Sequence, residues 1–264
     1  MIDFSAPLWM PAKPAIALAA SMEELARTKK SWRGMLPGMV PVVVTAAKTE
    51  FVENFGGFVP SAGLPTGFTS IWEHPNTTFA IQNAAVGGSI SGKELKVASG
   101  AATVNFWLGI SFNPPGQAAD AEVLARGYAV AATNNVENHG VALRMSDLAN
   151  TGYGFRLYTS SGGVQSEAVL SRLVAGVHTP LGNESFAWDL NVRYYFRLRA
   201  IGTSLKAKVW EVGDPEPATW LIEVTDSGIT AAGFAGLTQR SRSTSSAFDY
   251  IAVTLGGGTA PLPA

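Results

Sequence analysis

Apolar and polar residues alternate with a period of two along Tyr194–Thr225. Tyr194, Phe196, Leu198 and Ala200 interleave with Tyr195, Arg197, Arg199 and Ile201, and Leu205, Ala207 and Val209 interleave with Lys206, Lys208 and Trp210. A period of two sends one set into a core and the other toward water or a partner. Gly202-Thr203 predicts a tight hairpin turn between the two runs, because glycine supplies the positive φ that such a loop needs. Gly213–Pro217 predicts a longer loop, and Trp220–Thr225 a third strand. In this register Arg197 faces Lys208 and Arg199 faces Lys206. Like charges directly opposite one another are destabilising. Carboxylates are therefore expected over this face, either Glu223 or Glu211 from the same sheet or acidic groups of a neighbouring subunit.

The same alternation runs from Glu50 to Leu255. Further strands are expected over Glu50–Phe55, Thr69–Trp72, Thr78–Gln82, Ser89–Ser91, Glu94–Ala98, Thr103–Ile110 and Glu122–Ala132. Others follow over Gly140–Met145, Tyr153–Tyr158, Glu167–Val174, Ala232–Thr238 and Phe248–Leu255. Turn signals lie between them, among them Asn113-Pro114-Pro115-Gly116, Asn150-Thr151-Gly152 and Gly182-Asn183. Many short strands with no helical pattern between them predict an all-β antiparallel sandwich over residues 50–257. No fixed-period repeat appears, which argues against a solenoid or propeller.

Residues 1–49 read differently. Pro7, Pro11 and Pro14 prevent a regular helix or inner strand. Yet Phe4, Leu8, Trp9 and Met10 are residues that a solvated tail would not display, so an arm packed on its own domain or on a neighbouring subunit is expected. Ser21-Met22-Glu23-Glu24 is a capping box and predicts a short helix over residues 22–33, with Gly34 as its stop. Leu25 and Trp32 share its apolar face, which must dock on something, since so short a helix is marginal alone. Residues 258–264 are expected to form a flexible end.

Composition narrows the function classes. The net charge of the 264 residues is -1, which argues against a nucleic-acid partner bound by phosphate neutralisation. The chain has no cysteine, so disulfides, thiolate metal sites and a cysteine nucleophile are excluded. No window is long and apolar enough to predict a membrane span, and no secretory signal is evident.

Several segments together carry a resemblance. E-N-F-G-G (53–57), G-F-T-S-I-W (67–72), the aromatic-R-x-R strand Tyr195–Arg199, the K-x-K-V-W strand Lys206–Trp210, the E-P-x-x-W loop Glu216–Trp220, G-x-x-G-L (233–237) and F-D-Y-I-A-V (248–253) resemble concanavalin A-like, laminin-G-type jelly rolls. The resemblance covers about residues 51–255 and implies fold more than function, since this architecture hosts lectins, glycosidases and passive structural modules. The opening A-P-L-W-M-P-A-K-P-A-I-A-L-A-A resembles the start of tailed-bacteriophage virion structural proteins. It implies an arm that ties a subunit to its neighbours.

Candidate chemistry is sparse. Glycoside hydrolysis needs two opposed carboxylates. Glu122, with Asp120 beside it in A-D-A-E-V-L-A-R (119–126), is the best lone candidate, but charges on a wet strand face are usually structural. His74, His139 and His178 lack zinc-ligand spacing. The loop around Glu137, Asn138 and His139, and Asp147 with Asn150, carry oxygen ligands without the dense ladder of a calcium site. The glycines of 87–92 fit neither a nucleophile elbow nor a P-loop. No cofactor and no metal are expected. Trp72, Trp107, Trp210 and Trp220 are expected in the core. Trp188 and Tyr153 are expected on loops, where a flat ring could stack on a pyranose.

The expectation is thus a non-enzymatic structural protein of a bacteriophage virion, made in the host cytoplasm and built into a head decoration, collar, tail or fibre. Its arm would bind other virion subunits, with a homo-oligomer as the default, and its jelly roll could touch a host-surface glycan. The alternatives are a lectin-like carbohydrate-binding module and a glycoside hydrolase of the same fold.

Overall fold

The computed structural model describes residues 48–72, 76–99, 106–132, 138–146, 150–159, 165–241 and 244–264. The expected arm and the helix over 22–33, with Phe4, Leu8, Trp9, Met10, Leu25 and Trp32, lie outside these residues.

All regular structure among the described residues is β. The strands are β1 (Glu50–Glu53), β2 (Ser61–Ala62), β3 (Phe68–Trp72), β4 (Thr77–Asn83), β5 (Lys93–Ser99), β6 (Phe106–Phe112), β7 (Ala121–Ala132) and β8 (Asn138–Ser146). They continue with β9 (Thr151–Thr159), β10 (Gln165–Val174), β11 (Val177–Ser185), β12 (Tyr194–Ile201), β13 (Ser204–Glu211), β14 (Ile222–Thr225), β15 (Phe234–Ser241) and β16 (Thr244–Leu255). A nine-stranded sheet runs β14-β13-β12-β7-β16-β5-β4-β2, with β1 also paired to β16; a seven-stranded sheet runs β11-β10-β9-β8-β15-β6-β3. Every pairing between these strands is antiparallel. The two sheets form a jelly-roll sandwich of the concanavalin A-like type, as the sequence predicts.

Alternation decides which side chains meet between the sheets. Val123, Ala125, Phe196, Leu198, Leu205, Ala207, Ile251 and Val253 of the nine-stranded sheet join Leu108, Ile110, Val141, Phe155, Leu157, Leu170 and Leu237 of the other in one buried cluster. Each fully buried Val, Leu, Ile or Phe among them contributes about 1.5–3 kcal/mol relative to exposure. Gly202, with φ of 55°, and Thr203 close the β12–β13 hairpin in the expected register.

Two strand expectations need correction. Val177–Ser185 forms β11, although Gly182-Asn183 reads as a turn. The strand tolerates Pro180 because it is the edge of its sheet, where one row of donors has no ladder partner. A register shift opposite Leu170 and Ser171 absorbs the irregularity. Its turn is Ala175-Gly176, both with positive φ, so an alanine takes the place usually held by Asn or Asp. Ser89–Ser91, in contrast, forms no strand. That segment is clamped onto the outer face of the nine-stranded sheet by side chains instead: Arg126 donates to the Gly88 carbonyl, and the Ile90 amide donates to Asp249 at 3.3 Å. Beneath it Arg193 bridges Glu94 at 3.2 Å and Asp249 at 3.3 Å. Burial raises the Asp249 carboxyl above its ordinary range, and the Arg193 and Arg126 charges oppose that rise.

The expected flexible end is also different. Residues 256–264 turn back over the outer face of the nine-stranded sheet, and Ala260 is fully buried there.

Candidate functional site

The basic face of the β12–β13 hairpin is neutralised within the chain. Arg197 faces Lys208 and Arg199 faces Lys206 as expected. Glu122 of β7 lies between Arg197 and Arg199 and pairs with both. Glu216 pairs with Arg197 and with Lys208, each at 2.8 Å, and Glu223 pairs with Lys206 at 2.6 Å. Glu223 was anticipated; Glu122 and Glu216 were not. Arg197 and Lys208 are buried under these partners, so neither is presented for a subunit contact; Arg199 and Lys206 stay partly exposed. The same geometry answers the hydrolase expectation at this position. Glu122 is 0% exposed, accepts from both arginines and from the Ala260 amide, and has no open side toward a substrate. Asp120 bonds the Gly202 amide at 2.8 Å and lies 3.7 Å from Arg144.

Of the two aromatics expected on loops, Trp188 does lie in the connection between β11 and β12 and Tyr153 lies in β9, and both are buried in the core. Trp188 is 3% exposed, donates to the Tyr158 carbonyl at 3.2 Å and packs edge-on against His139. Tyr153 is 0% exposed; its hydroxyl donates to Asp226 at 2.6 Å and accepts from the Ile229 amide at 3.0 Å. Burial, with the Asp226 bond, pushes the Tyr153 phenol up to about 12. Asp226 goes the other way: burial favours its neutral form, but bonds from Tyr153, the Gly228 amide and Arg172 outweigh that and hold it low. A glycine before Tyr153 marks a turn in sequence, but the alternation Tyr153, Phe155, Leu157 points all three rings and side chains inward. Among the other tryptophans, Trp72 and Trp210 are buried but lie on outer faces of the sheets, and Trp220 is half-buried beneath Arg199 and Lys208.

The histidines separate. His74 lies outside the described residues, as do Glu137 and Asp147. His139 is buried between the sheets against Trp188, Phe196 and Phe248. Among the described residues neither ring nitrogen has a hydrogen-bond partner, and burial lowers its pKa to about 3. Asn150 serves as a turn former with φ of 44°. Among the described residues no group of three His, Asp or Glu side chains is placed to hold a metal.

His178 leads to a site the sequence did not announce. Arg156 and Tyr158 of β9, Glu167 and Val169 of β10, and His178, Pro180 and Asn183 of β11 line a cleft of about 200 Å³. The strand register builds it. Tyr158 is opposite Glu167, and Arg156, Val169 and Asn183 form one row across three strands. Because Phe155, Leu157, Ala168 and Leu170 point into the core, these neighbours must point away from it.

The polar groups of the cleft are fixed. Arg156 donates to Ser171 Oγ at 2.9 Å and approaches His178 Nε2 at 3.0 Å, while Ser171 Oγ lies 2.6 Å from the same nitrogen. An arginine facing Nε2 makes that nitrogen an acceptor, which places the neutral ring's proton on Nδ1. Ser171 is 0% exposed, so this trio positions a guanidinium rather than presenting a nucleophile. On the opposite wall Asn183 Nδ2 donates to Glu167 Oε2 at 3.1 Å. The cleft thus has a buried, fully braced guanidinium at its floor and presents an oriented carboxylate acceptor, an amide and a half-buried phenol ring. Glu167 is the single carboxylate among the described lining residues, where glycoside hydrolysis ordinarily takes two. No motif marks these residues; the available signal was the alternation of Arg156 and Tyr158 with the core residues.

Comparison with known proteins agrees on fold. No family model matches the chain, and no curated protein matches it. Among solved structures it is similar to the carbohydrate binding module CBM66 from Bacillus subtilis, at 16% identity and a TM-score of 0.50 over 70% of this chain and 95% of that one. It is also similar to the Bacillus licheniformis beta-glucanase, at 9% identity and a TM-score of 0.48, over 80% of this chain and 100% of the other. The exoplasmic/lumenal domain of VIP36 in its Ca2+/Man3GlcNAc-bound form aligns at 8% identity and a TM-score of 0.43, over 81% and 91% of the two chains. Identities this low define a class by architecture alone: a concanavalin A-like jelly-roll sandwich.

Proposed function

We propose that this domain is a carbohydrate-binding module that takes a glycan in the Arg156–Asn183 cleft on the outer face of the seven-stranded sheet. The observation that carries this reading is the cleft's mixture of fixed groups. A sugar presents adjacent hydroxyls that donate and accept, and an apolar C–H face. Asn183 supplies a donor, Glu167 an acceptor, and Tyr158 and Pro180 apolar surface, over a floor formed by the buried Arg156. A jelly roll similar in fold to a carbohydrate binding module is consistent with it. Binding rather than cleavage fits the lone carboxylate.

The test is a glycan array followed by titration of the best hit. Tyr158→Ala, Glu167→Gln and Asn183→Ala are each expected to weaken binding at least about tenfold, equivalent to about 1.4 kcal/mol. Binding unchanged in all three, or no binding to any glycan, overturns the proposal. Hydrolysis of a bound polysaccharide that is lost in Glu167→Gln would favour a glycosidase instead.

A second reading places the module on a bacteriophage virion, attached through residues 1–49. It is supported by the proline-rich apolar opening with Trp9 and Met10, which suits a docked segment better than a solvated one. Immunogold labelling of purified particles is the check; unlabelled particles would exclude it without affecting the glycan proposal.

A further inference from the structure

Residues 256–264 occupy the outer face of the nine-stranded sheet in the manner of a bound peptide. Gly256 and Gly257, with φ of 64° and 85°, reverse the chain after β16. The segment then runs back across side chains rooted in β7, β12, β13 and β16. Thr254 Oγ1 donates to the Gly258 carbonyl at 3.0 Å, and Arg199 donates to Thr259 Oγ1 at 2.9 Å. Ala260 is read on both sides of its backbone: its amide donates to Glu122 at 2.9 Å and its carbonyl accepts from Arg197 at 2.8 Å. Tyr250 donates to the Pro261 carbonyl at 2.8 Å. The Ala260 methyl sits among Leu124, Trp210, Tyr250 and Ala252.

We propose that this segment is an exchangeable strap, and that the groove it fills accepts the same segment from a second copy of the chain. Three features carry the inference. First, apart from the Gly258 amide bond to the Leu255 carbonyl at 3.4 Å, which closes the turn, the bonds that hold residues 258–261 to the face come from sheet side chains to strap backbone or to one hydroxyl, and these do not require the strap to belong to the same chain. Second, an empty groove is costly, because it strips the buried Glu122–Arg197 pair of the amide and carbonyl between them and bares an apolar pocket. A strap that leaves one copy is therefore replaced best by an identical strap. Third, the intrachain path depends on two consecutive left-handed residues, whereas an extended path into a neighbour does not. Reciprocal exchange keeps the groove contacts and relieves the reversal, so the hinge and the protein concentration set the balance.

The test uses the full chain. Gly256→Val with Gly257→Val places β-branched residues at positive φ and penalises the reversal. Sedimentation velocity is expected to show a shift from monomer to twice the mass, enhanced at high concentration, which adding Ala260→Arg abolishes. Ala260→Arg alone puts a bulky cation into a methyl-sized pocket beside Arg197 and displaces the strap. That variant is expected to bind a fluorescent synthetic peptide of residues 256–264 saturably, while the unaltered chain, its groove filled, binds it far less. A hinge variant that stays monomeric at every concentration overturns the exchange. Absence of peptide binding to a folded Ala260→Arg variant overturns the groove itself.

Discussion

At the scale of single residues, His139 is the clearest departure from what alternation can tell. In sequence it follows a polar loop and reads as a candidate ligand. In the fold it lies in β8 against Trp188, Phe196 and Phe248, partners 49, 57 and 109 positions away (188 − 139, 196 − 139, 248 − 139), and no local pattern announces them. Its unpartnered nitrogens make it a liability of about 1–3 kcal/mol, the cost of an unsatisfied buried polar group. His139→Leu is accordingly expected to raise the urea midpoint at pH 7. The pH dependence has a definite sign. The folded ring stays neutral down to about pH 3, whereas the unfolded ring protonates near 6.5. The unfolded chain therefore binds more protons between those values. The residue's contribution is constant above pH 6.5, and stability falls as the pH drops below it, at up to about 1.4 kcal/mol per unit. Urea titrations at pH 7 and pH 5 should show this loss shrink in His139→Leu; an unchanged loss would mean that other groups carry it. A second residue-scale expectation concerns Gly109. Trp72 lies flat over it on the outer face of the seven-stranded sheet, and a Cβ there would sit 2.6 Å from the indole. Gly109→Ala should destabilise by about 1–3 kcal/mol through overpacking, read from the same titrations.

At the scale of elements, the hairpin β12–β13 was legible because everything it needs is local: an alternating pair of runs and a two-residue glycine turn. Even the conflict of Arg197 with Lys208 and Arg199 with Lys206 was visible. Its resolution was not, because Glu122 reaches Arg197 from 75 residues upstream and becomes a neighbour only once β7 pairs with β12. The cleft was hidden for a related reason. Two of its polar lining residues, His178 and Asn183, lie on β11, whose proline, glycine and asparagine disguise an edge strand as a turn. The charge network makes a graded prediction. Glu122→Ala leaves Arg197 buried without that partner and should cost about 3–5 kcal/mol. Lys206→Ala, which breaks the more exposed pair with Glu223, should cost no more than about 1 kcal/mol. Equal losses in chemical denaturation would contradict the assignment of Glu122 as the hub.

At the scale of the whole molecule, the class of fold follows from composition and periodicity, but the order of strands does not. β7 is paired on one side with β12 and on the other with β16, so Val123 is opposite both Leu198 and Val253. β1 also waits for β16, and β6 waits for β15. No short-range signal in the chain records which distant run will arrive at which edge, and this is why hairpins can be read while the sheet order cannot. The same fact bears on kinetics. Closing loops of this length costs entropy before the pairings repay it, so a chain whose central strand is completed only by its last long strand must fold slowly. Refolding by dilution from urea, followed by tryptophan fluorescence, is expected to have a main phase slower than about 10 ms, within the millisecond-to-second range of all-β domains. Val253→Ala, at the β16 position opposite Val123, tests where that barrier lies. If β16 docks before the barrier, the substitution slows refolding; if it docks afterwards, the substitution mainly speeds unfolding. A main phase completed within a millisecond would require a far more local set of contacts than β7, β12 and β16 provide.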